Sequence, residues 1–145
     1  MRTALYARFS TANQPGESIE DQFRVCERIA RSDGFTIIER YSDAAISGGT
    51  AARPGYQRML AGARRREFDA IIAEDLKRLW REQAEQWRAI KELQDLGVHI
   101  ITASGVDSRQ ANFEIIASVM GAAGELERKE AAYRTRRGLE GRARQ

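Results

Sequence analysis

The stretch TALYARFSTANQ, Thr3–Gln14, begins with a mostly apolar run and closes on an arginine, two hydroxyls and two amides. It reads as a buried strand that ends abruptly in polar side chains at Arg8 and Ser10. Three further segments share its aliphatic and β-branched character: FTIIERY (Phe35–Tyr41), FDAIIAED (Phe68–Asp75) and VHIITAS (Val98–Ser104). Each is separated from the next by a segment with helical spacing. The alternation β-α-β-α-β-α-β argues for an α/β fold with a mainly parallel sheet of four or five strands flanked by helices.

The intervening segments carry the expected helix signals. Ile19, Phe23, Cys26 and Ala30 fall at i, i+4, i+7 and i+11, one face of a helix ending near Asp33-Gly34. That spacing makes Cys26 a core residue and not a nucleophile. A second helix starts around Pro54, a good first-turn residue, and buries Tyr56, Met59, Leu60 and Ala63. Arg64, Arg65 and Arg66 at its end complement the helix dipole and need no nucleic acid to explain them. The third runs from about Glu82 to Leu96, stops at Gly97 and buries Ala89, Ile90, Leu93 and Leu96. The division that follows is an α/β core over residues 1–110 and a long helix with the start of a linker over 111–145. The helix, from about Ala111 to Gly138, would be about 42 Å long at 1.5 Å per residue. A small domain cannot cover that length, so part of it should project, with Ile115, Val119, Ala122, Leu126 and Tyr133 on one stripe. Gly121 and Gly124 each cost about 1 kcal/mol against Ala inside a helix, which suggests that another helix, from a subunit partner, approaches closely there.

With 145 residues and 42% hydrophobic content, the chain suits one domain with a proper core. No run of 18 apolar residues and no basic-then-apolar N-terminus appears, so neither membrane insertion nor secretion is indicated and a cytoplasmic protein is expected. One Cys and one His cannot supply a disulfide framework or a typical structural zinc site. The net charge is +3, but seven of the 24 basic residues and only two of the 21 acidic ones lie in Arg128–Gln145. That segment is net +5 and the rest of the chain net −2, a distribution suited to a C-terminal end that meets a polyanion, or else to a solvated helix face.

Ligands of open parallel α/β sheets bind beyond the carboxyl ends of the strands. That rule gathers Arg8 and Ser10 after the first strand, Asp43, Ser47 and Arg53 after the second, and Lys77, Arg78 and Arg81 after the third. Arg8 and Ser10 share a strand face, and Arg78 and Arg81, three apart at the start of a helix, can point together. One hydroxyl then faces several cations, which repel one another unless an anion sits among them, and the arginine fork suits phosphate oxygens. There is no GxxxxGK[ST] or GxGxxG loop, so a glycine cradle for a nucleotide is not supported. His99 lies at the start of the fourth strand, at the far end of the sheet, where it cannot act as a base for Ser10.

The segments YARFSTANQ (6–14), YSDAAISGGTAARPGYQRML (41–60), DLKRLWR (75–81) and GELERKEAAYRTRRGLEGR (124–142) occur in an order that resembles the catalytic domain of the serine recombinases, the resolvase and invertase family of site-specific DNA recombinases. The resemblance spans nearly the whole chain. It implies that Ser10 is the nucleophile, that Arg8, Arg53, Arg78 and Arg81 bind and activate the scissile phosphate, and that Gln14 and Ser47 are supporting polar groups. It also implies that Arg128 reaches the phosphate from the long helix, and that Arg134, Arg136, Arg137 and Arg142 belong to a stretch that contacts the DNA minor groove. No cofactor and no metal are implied. The expected partners are double-stranded DNA and further copies of the chain, as dimers that pair into a synaptic tetramer. The setting would be prokaryotic, phage or mobile-element. The family places a separate DNA-binding region after the long helix, so the chain reads as a catalytic domain from a longer protein.

One position departs from the family pattern. Where the family usually carries Asp-Arg-Leu-x-Arg, this chain reads Lys77-Arg78-Leu79-Trp80-Arg81. An acidic residue has become basic, with Glu74 and Asp75 as the nearest substitutes. The departure supports a rival expectation, a catalytically weak recombinase-like module that dimerises or docks on DNA. A third, a metal-dependent phosphoesterase using Asp43, Glu74 and Asp75, is disfavoured by the surrounding arginines.

Overall fold

The first strand, β1 (Arg2–Arg8), is buried from Thr3 to Arg8, on both faces. A central strand of a parallel sheet covered on both sides has this property, which is why its sequence is apolar at consecutive positions. In the computed structural model β1 lies between β2 (Thr36–Asp43) and β3 (Ala70–Ala73), with β4 (His99–Thr102) beyond β3. Every pairing in the order β2-β1-β3-β4 is parallel. The structure describes residues 1–9, 18–44 and 53–143, and of Gly124, Glu125, Arg128 and residues 138–143 the backbone alone. Among the described residues the sheet has four strands, the lower of the two numbers expected.

Alternate side chains of β1 serve different layers. Leu5 packs with Ile72, Ile101, Cys26 and Ala30 beneath α1 (Ile19–Ser32). Ala4 and Tyr6 face the opposite layer, built from α2 (Pro54–Arg64), α4 (Gln83–Asp95) and the start of α5 (Phe113–Ala143). The helix boundaries follow local chemistry. Ser18 caps α1, its hydroxyl accepting from the Asp21 N–H at 3.1 Å while the Asp21 carboxylate accepts from the Ser18 N–H at 3.3 Å. Gly34 and Gly97, just past α1 and α4, adopt φ of +72° and +74°, the left-handed conformation in which a glycine ends a helix. Arg64 and Arg65 pair with Glu92 at 2.6 Å and Glu67 at 2.8 Å, so two of the three arginines ending α2 have local partners.

Two expectations need correction. Arg78 and Arg81 do not lie on one continuous helix: α3 (Leu76–Leu79) is a single turn, Trp80 is extended, and α4 begins only at Gln83. Gly121 does admit a close neighbour, but within the same chain. A Cβ there would stand 3.2 Å from Gln86 Nε2 and 3.3 Å from Gln83, both on α4. The buried Gln86 amide also donates to the Ala117 carbonyl, which seats the first turns of α5 on α4. Further along, Ile115, Val119, Leu126 and Tyr133 are each more than half exposed, so the apolar stripe of α5 faces outward. At 31 residues α5 is about 46 Å long and extends beyond the sheet, as its length required. No helix among the described residues is long and apolar enough to cross a membrane.

Two measurements test this packing. A Cβ on Gly55 would fall 2.2 Å from the Ser42 carbonyl oxygen, a backbone atom that cannot step aside. Gly55→Ala should therefore destabilise the chain by about 2–3 kcal/mol in urea unfolding. Cys26 is fully buried, and burial pushes its thiol from 9.0 up to about 12. Because the folded value lies above the unfolded one, its stabilising contribution is complete below about pH 8.5 and is lost as pH rises towards about 12. The alkaline fall in stability should be shallower in Cys26→Ala, and a thiol reagent should modify Cys26 only after unfolding.

Candidate active site

Asp43, the last residue of β2, is 7% exposed. Its carboxylate accepts three hydrogen bonds: from the Tyr6 hydroxyl at 2.6 Å and from the N–H groups of Gly55 and Tyr56 at 2.8 and 2.9 Å. The last two are unpaired donors of the first turn of α2, the end at which a helix favours negative charge. Burial, and then the bond to Asp43, raises the Tyr6 pKa far above its ordinary value. The phenol therefore keeps its proton, donates to Asp43, and accepts from Arg53 Nη2 at 2.9 Å. Asp43 thus aims Arg53 through Tyr6, although no direct contact joins the two.

Arg53 immediately precedes α2 and its side chain is 11% exposed. Its guanidinium carbon lies 4.2 Å from the centre of the Tyr56 ring and 5.5 Å from that of Tyr6. Nη2 also donates to the Arg78 carbonyl at 3.2 Å, and Nη1 stands 3.6 Å from Glu85 of α4. Tyr56 accepts from the buried Trp80 indole at 2.7 Å.

The Arg78 carbonyl is shared. Arg8 Nε donates to it at 3.0 Å and Arg8 Nη2 to the Lys77 carbonyl at 2.6 Å, while Arg78 Nη1 donates back to the Arg8 carbonyl at 3.0 Å. The end of β1 and the single turn α3 are therefore locked by reciprocal arginine-to-backbone bonds. Gln22, fully buried on α1, clamps the same residue from the other side: its amide accepts from the Arg8 N–H and donates to the Arg8 carbonyl, both at 3.1 Å. Burial depresses the Arg8 pKa, and the charges of Arg53, Arg81 and Arg78 depress it further. Like charges a few ångströms apart near a surface repel by on the order of 4 kcal/mol. Among the described residues, the carboxylates paired with this cluster are Glu74, 3.4 Å from Arg78, and Glu85, 3.6 Å from Arg53. Both distances are long for a tight ion pair, and Arg53 Nε and Arg78 Nε are buried without a hydrogen-bond partner among the described residues.

Arg8, Arg53 and Arg78 are thus brought together. Arg81 is exposed beyond α3, yet close enough for its charge to act on Arg8. Ser10, Gln14 and Ser47 lie outside the described residues. Arg134, Arg136 and Arg137 are exposed on α5, whereas the side chains of Arg128 and Arg142 are not described. Lys77 turns away from the arginines and pairs with Glu127 of α5 at 3.0 Å. The carboxylates nearest its position have separate tasks: Asp75 caps α3 by accepting from the Arg78 N–H at 3.1 Å, and Glu74 faces the Arg78 guanidinium. Among the described residues no three His, Cys, Asp or Glu side chains gather as a metal ion would need.

Sequence reasoning passed over Tyr6 and Gln22, and it treated Tyr56 and Trp80 as ordinary core or spacer residues. Gln22 had a signal, a polar amide on the otherwise apolar face of α1. Removing the Tyr6 hydroxyl takes one acceptor from the buried Arg53 guanidinium and one donor from the buried Asp43 carboxylate. Tyr6→Phe should therefore cost about 1–3 kcal/mol in urea unfolding, whereas Tyr133→Phe on exposed α5 should stay within about 0.5 kcal/mol of the native chain.

A family model described as the resolvase N-terminal domain matches residues 3–145. The crystal structure of the N-terminal catalytic domain of TP901-1 integrase superposes with a TM-score of 0.71 at 26% identity, covering 89% of this chain and 98% of that one. That of a resolvase family site-specific recombinase from Streptococcus pneumoniae gives a TM-score of 0.70 at 27% identity, covering 100% and 99%. A protein of Bacillus subtilis (strain 168), named provisionally as a DNA recombinase, is 28% identical over 137 residues; the match takes in 93% of this chain but only 27% of that protein's length. The chain belongs to the resolvase N-terminal domain family, whose solved members include catalytic domains of site-specific serine recombinases.

Proposed function

We propose that the domain cuts and rejoins double-stranded DNA through a covalent serine intermediate. The observation that carries this reading is the convergence of Arg8, Arg53 and Arg78 at the carboxyl ends of β1 and β3, where Arg8 precedes Ser10 by two residues in sequence. Three guanidiniums held by backbone carbonyls and a phenol, with two loosely paired glutamates beside them among the described residues, suit the non-bridging oxygens of a phosphodiester.

In the step proposed, Ser10 Oγ attacks phosphorus, the Oγ–P bond forms and the P–O3′ bond breaks. The serine proton passes to the departing 3′ oxygen, leaving a 5′-phosphoserine and a 3′-hydroxyl. The arginines stabilise the charge that builds on the phosphoryl oxygens. Attack by a 3′-hydroxyl on the phosphoserine reverses the step, and because one phosphodiester replaces another no external energy source is needed. Gln14 and Ser47 are proposed as supporting polar groups, Arg128 as a further phosphate contact from α5, and Arg134, Arg136, Arg137 and Arg142 as contacts to DNA beyond the core. The outward apolar stripe of α5 is where further copies would pair, as dimers and then as a tetramer.

Lys77 bears on the rival reading of a weak, docking module. Its side chain faces Glu127 and not the arginines, so the cationic cluster does not include it. The proposal therefore expects cleavage to survive the departure from the family pattern.

The test uses the protein carrying this domain with DNA of its source organism, followed by detergent denaturation and sequencing of the retained DNA. The native protein should keep DNA covalently bound, and Ser10→Ala should keep none; an adduct persisting in Ser10→Ala would remove Ser10 from the role of nucleophile. On the DNA segment so recovered, Arg8→Lys, Arg53→Lys and Arg78→Lys should each slow adduct formation by about 10²–10³-fold. Lys77→Asp should change it by less than about threefold, whereas a large gain would favour the weak-module reading.

A further inference from the structure

Trp80 and Tyr56 are both almost fully buried, and the indole N–H donates to the Tyr56 hydroxyl at 2.7 Å. The same Tyr56 ring lies 4.2 Å beneath the Arg53 guanidinium and meets Tyr6 edge-on, with centroids 6.0 Å apart. Trp80 itself ends α3, its N–H donating to the Leu76 carbonyl at 2.9 Å, and sits between Arg78 and Arg81 in the chain. One hydrogen bond thus joins the aromatic floor under Arg53 to the segment that carries Arg78 and Arg81.

A planar guanidinium over an aromatic face is attracted by the ring's negative face, most strongly when desolvated. That attraction depends on where the ring lies. Burial fixes the plane of Tyr56, and the bond that its hydroxyl accepts from Trp80 anchors the far end of the ring axis, so together they place the ring face. The Trp80 backbone is extended, so the indole reaches back across the gap between α3 and α2. Movement of α3 would pull on the Tyr56 ring and so on Arg53, while the shared Arg78 carbonyl links the same two arginines from the other side.

We infer that Trp80 and Tyr56 are positioning residues for DNA cleavage: through their hydrogen bond they hold the Arg53 guanidinium in register with Arg78 and Arg81 for the phosphate. The inference rests on the proposed phosphate role of Arg53 and adds two residues that act through it without touching DNA.

Single-turnover adduct formation on the recovered DNA segment tests it, with DNA affinity and melting temperature measured alongside. Tyr56→Phe, which keeps the ring, and Trp80→Phe, which keeps an aromatic side chain of smaller volume, each break the bond and should each slow adduct formation about 5–10-fold and leave DNA affinity within twofold. Their combination should be no slower than either alone, because both remove one bond. In an Arg53→Lys chain, which lacks the planar fork, Trp80→Phe should slow the reaction no further. Rate losses that multiply in the double variant, or that persist at full size in the Arg53→Lys chain, would overturn the inference and leave Trp80 a packing residue. If Trp80→Phe melts too low to assay, Tyr56→Phe alone carries the test, and an unchanged rate in it overturns the inference. A full rate in Arg53→Lys would instead defeat the phosphate role of Arg53, a separate outcome read from that variant alone.

Discussion

The buried carboxylate of Asp43 is the interaction on which the rest of the site depends. A charge of that kind is costly to bury unless it is hydrogen-bonded, and here three donors supply much of what water would. Those donors come from β1 and from the first turn of α2, so one anion at the end of β2 fastens the middle strand, the edge strand and a helix N-terminus at a single point. The close packing of Gly55 against the Ser42 carbonyl is the steric side of the same constraint: α2 can bring its free N–H groups to Asp43 only where no Cβ intervenes.

From that point the arginines are organised outward. Tyr6 passes the effect of Asp43 to Arg53; the carbonyls of Lys77 and Arg78 receive Arg8; and the Arg8 carbonyl receives Arg78. Backbone acceptors are well suited to this task. They satisfy the donors of a guanidinium without neutralising it, so the cluster keeps the positive charge that a phosphodiester would meet. A carboxylate facing each arginine would orient it as well and cancel the charge. The two glutamates present, Glu74 and Glu85, stand at distances that moderate the repulsion without closing tight pairs.

The long helix connects to this cluster more firmly than its exposure suggests. Its first turns are seated on α4 by Gln86 and by the close approach at Gly121, and further along Glu127 reaches Lys77, whose own carbonyl holds Arg8. The Lys77–Glu127 pair is half exposed, and such pairs contribute only about 0–1 kcal/mol. It orients more than it stabilises. The basic residue that breaks the family pattern is thus used away from the arginines, and the carboxylates flanking it, Glu74 and Asp75, serve Arg78.

The fold was legible because its signals are local: four short aliphatic runs, a proline in a helix's first turn and two glycines at helix ends are properties of neighbouring residues, and periodicity exposes them. The sequence by itself also determined which arginines gather, since strand ends in a parallel sheet must meet on one side, and Arg8, Arg53 and Arg78 follow three such ends. What only the tertiary structure decided is how they are held. The partners of Asp43 lie 12 to 37 residues away, the acceptors for Arg8 about 70 residues away, and the outcome for Lys77 turned on a helix 50 residues downstream. Hydrogen bonds of that span leave no periodic trace. Tyr6, Gln22, Tyr56 and Trp80 therefore looked like core residues until their polar atoms could be followed to partners, because an amphipathic ring or amide buries as an apolar group does while its one polar atom does the positioning.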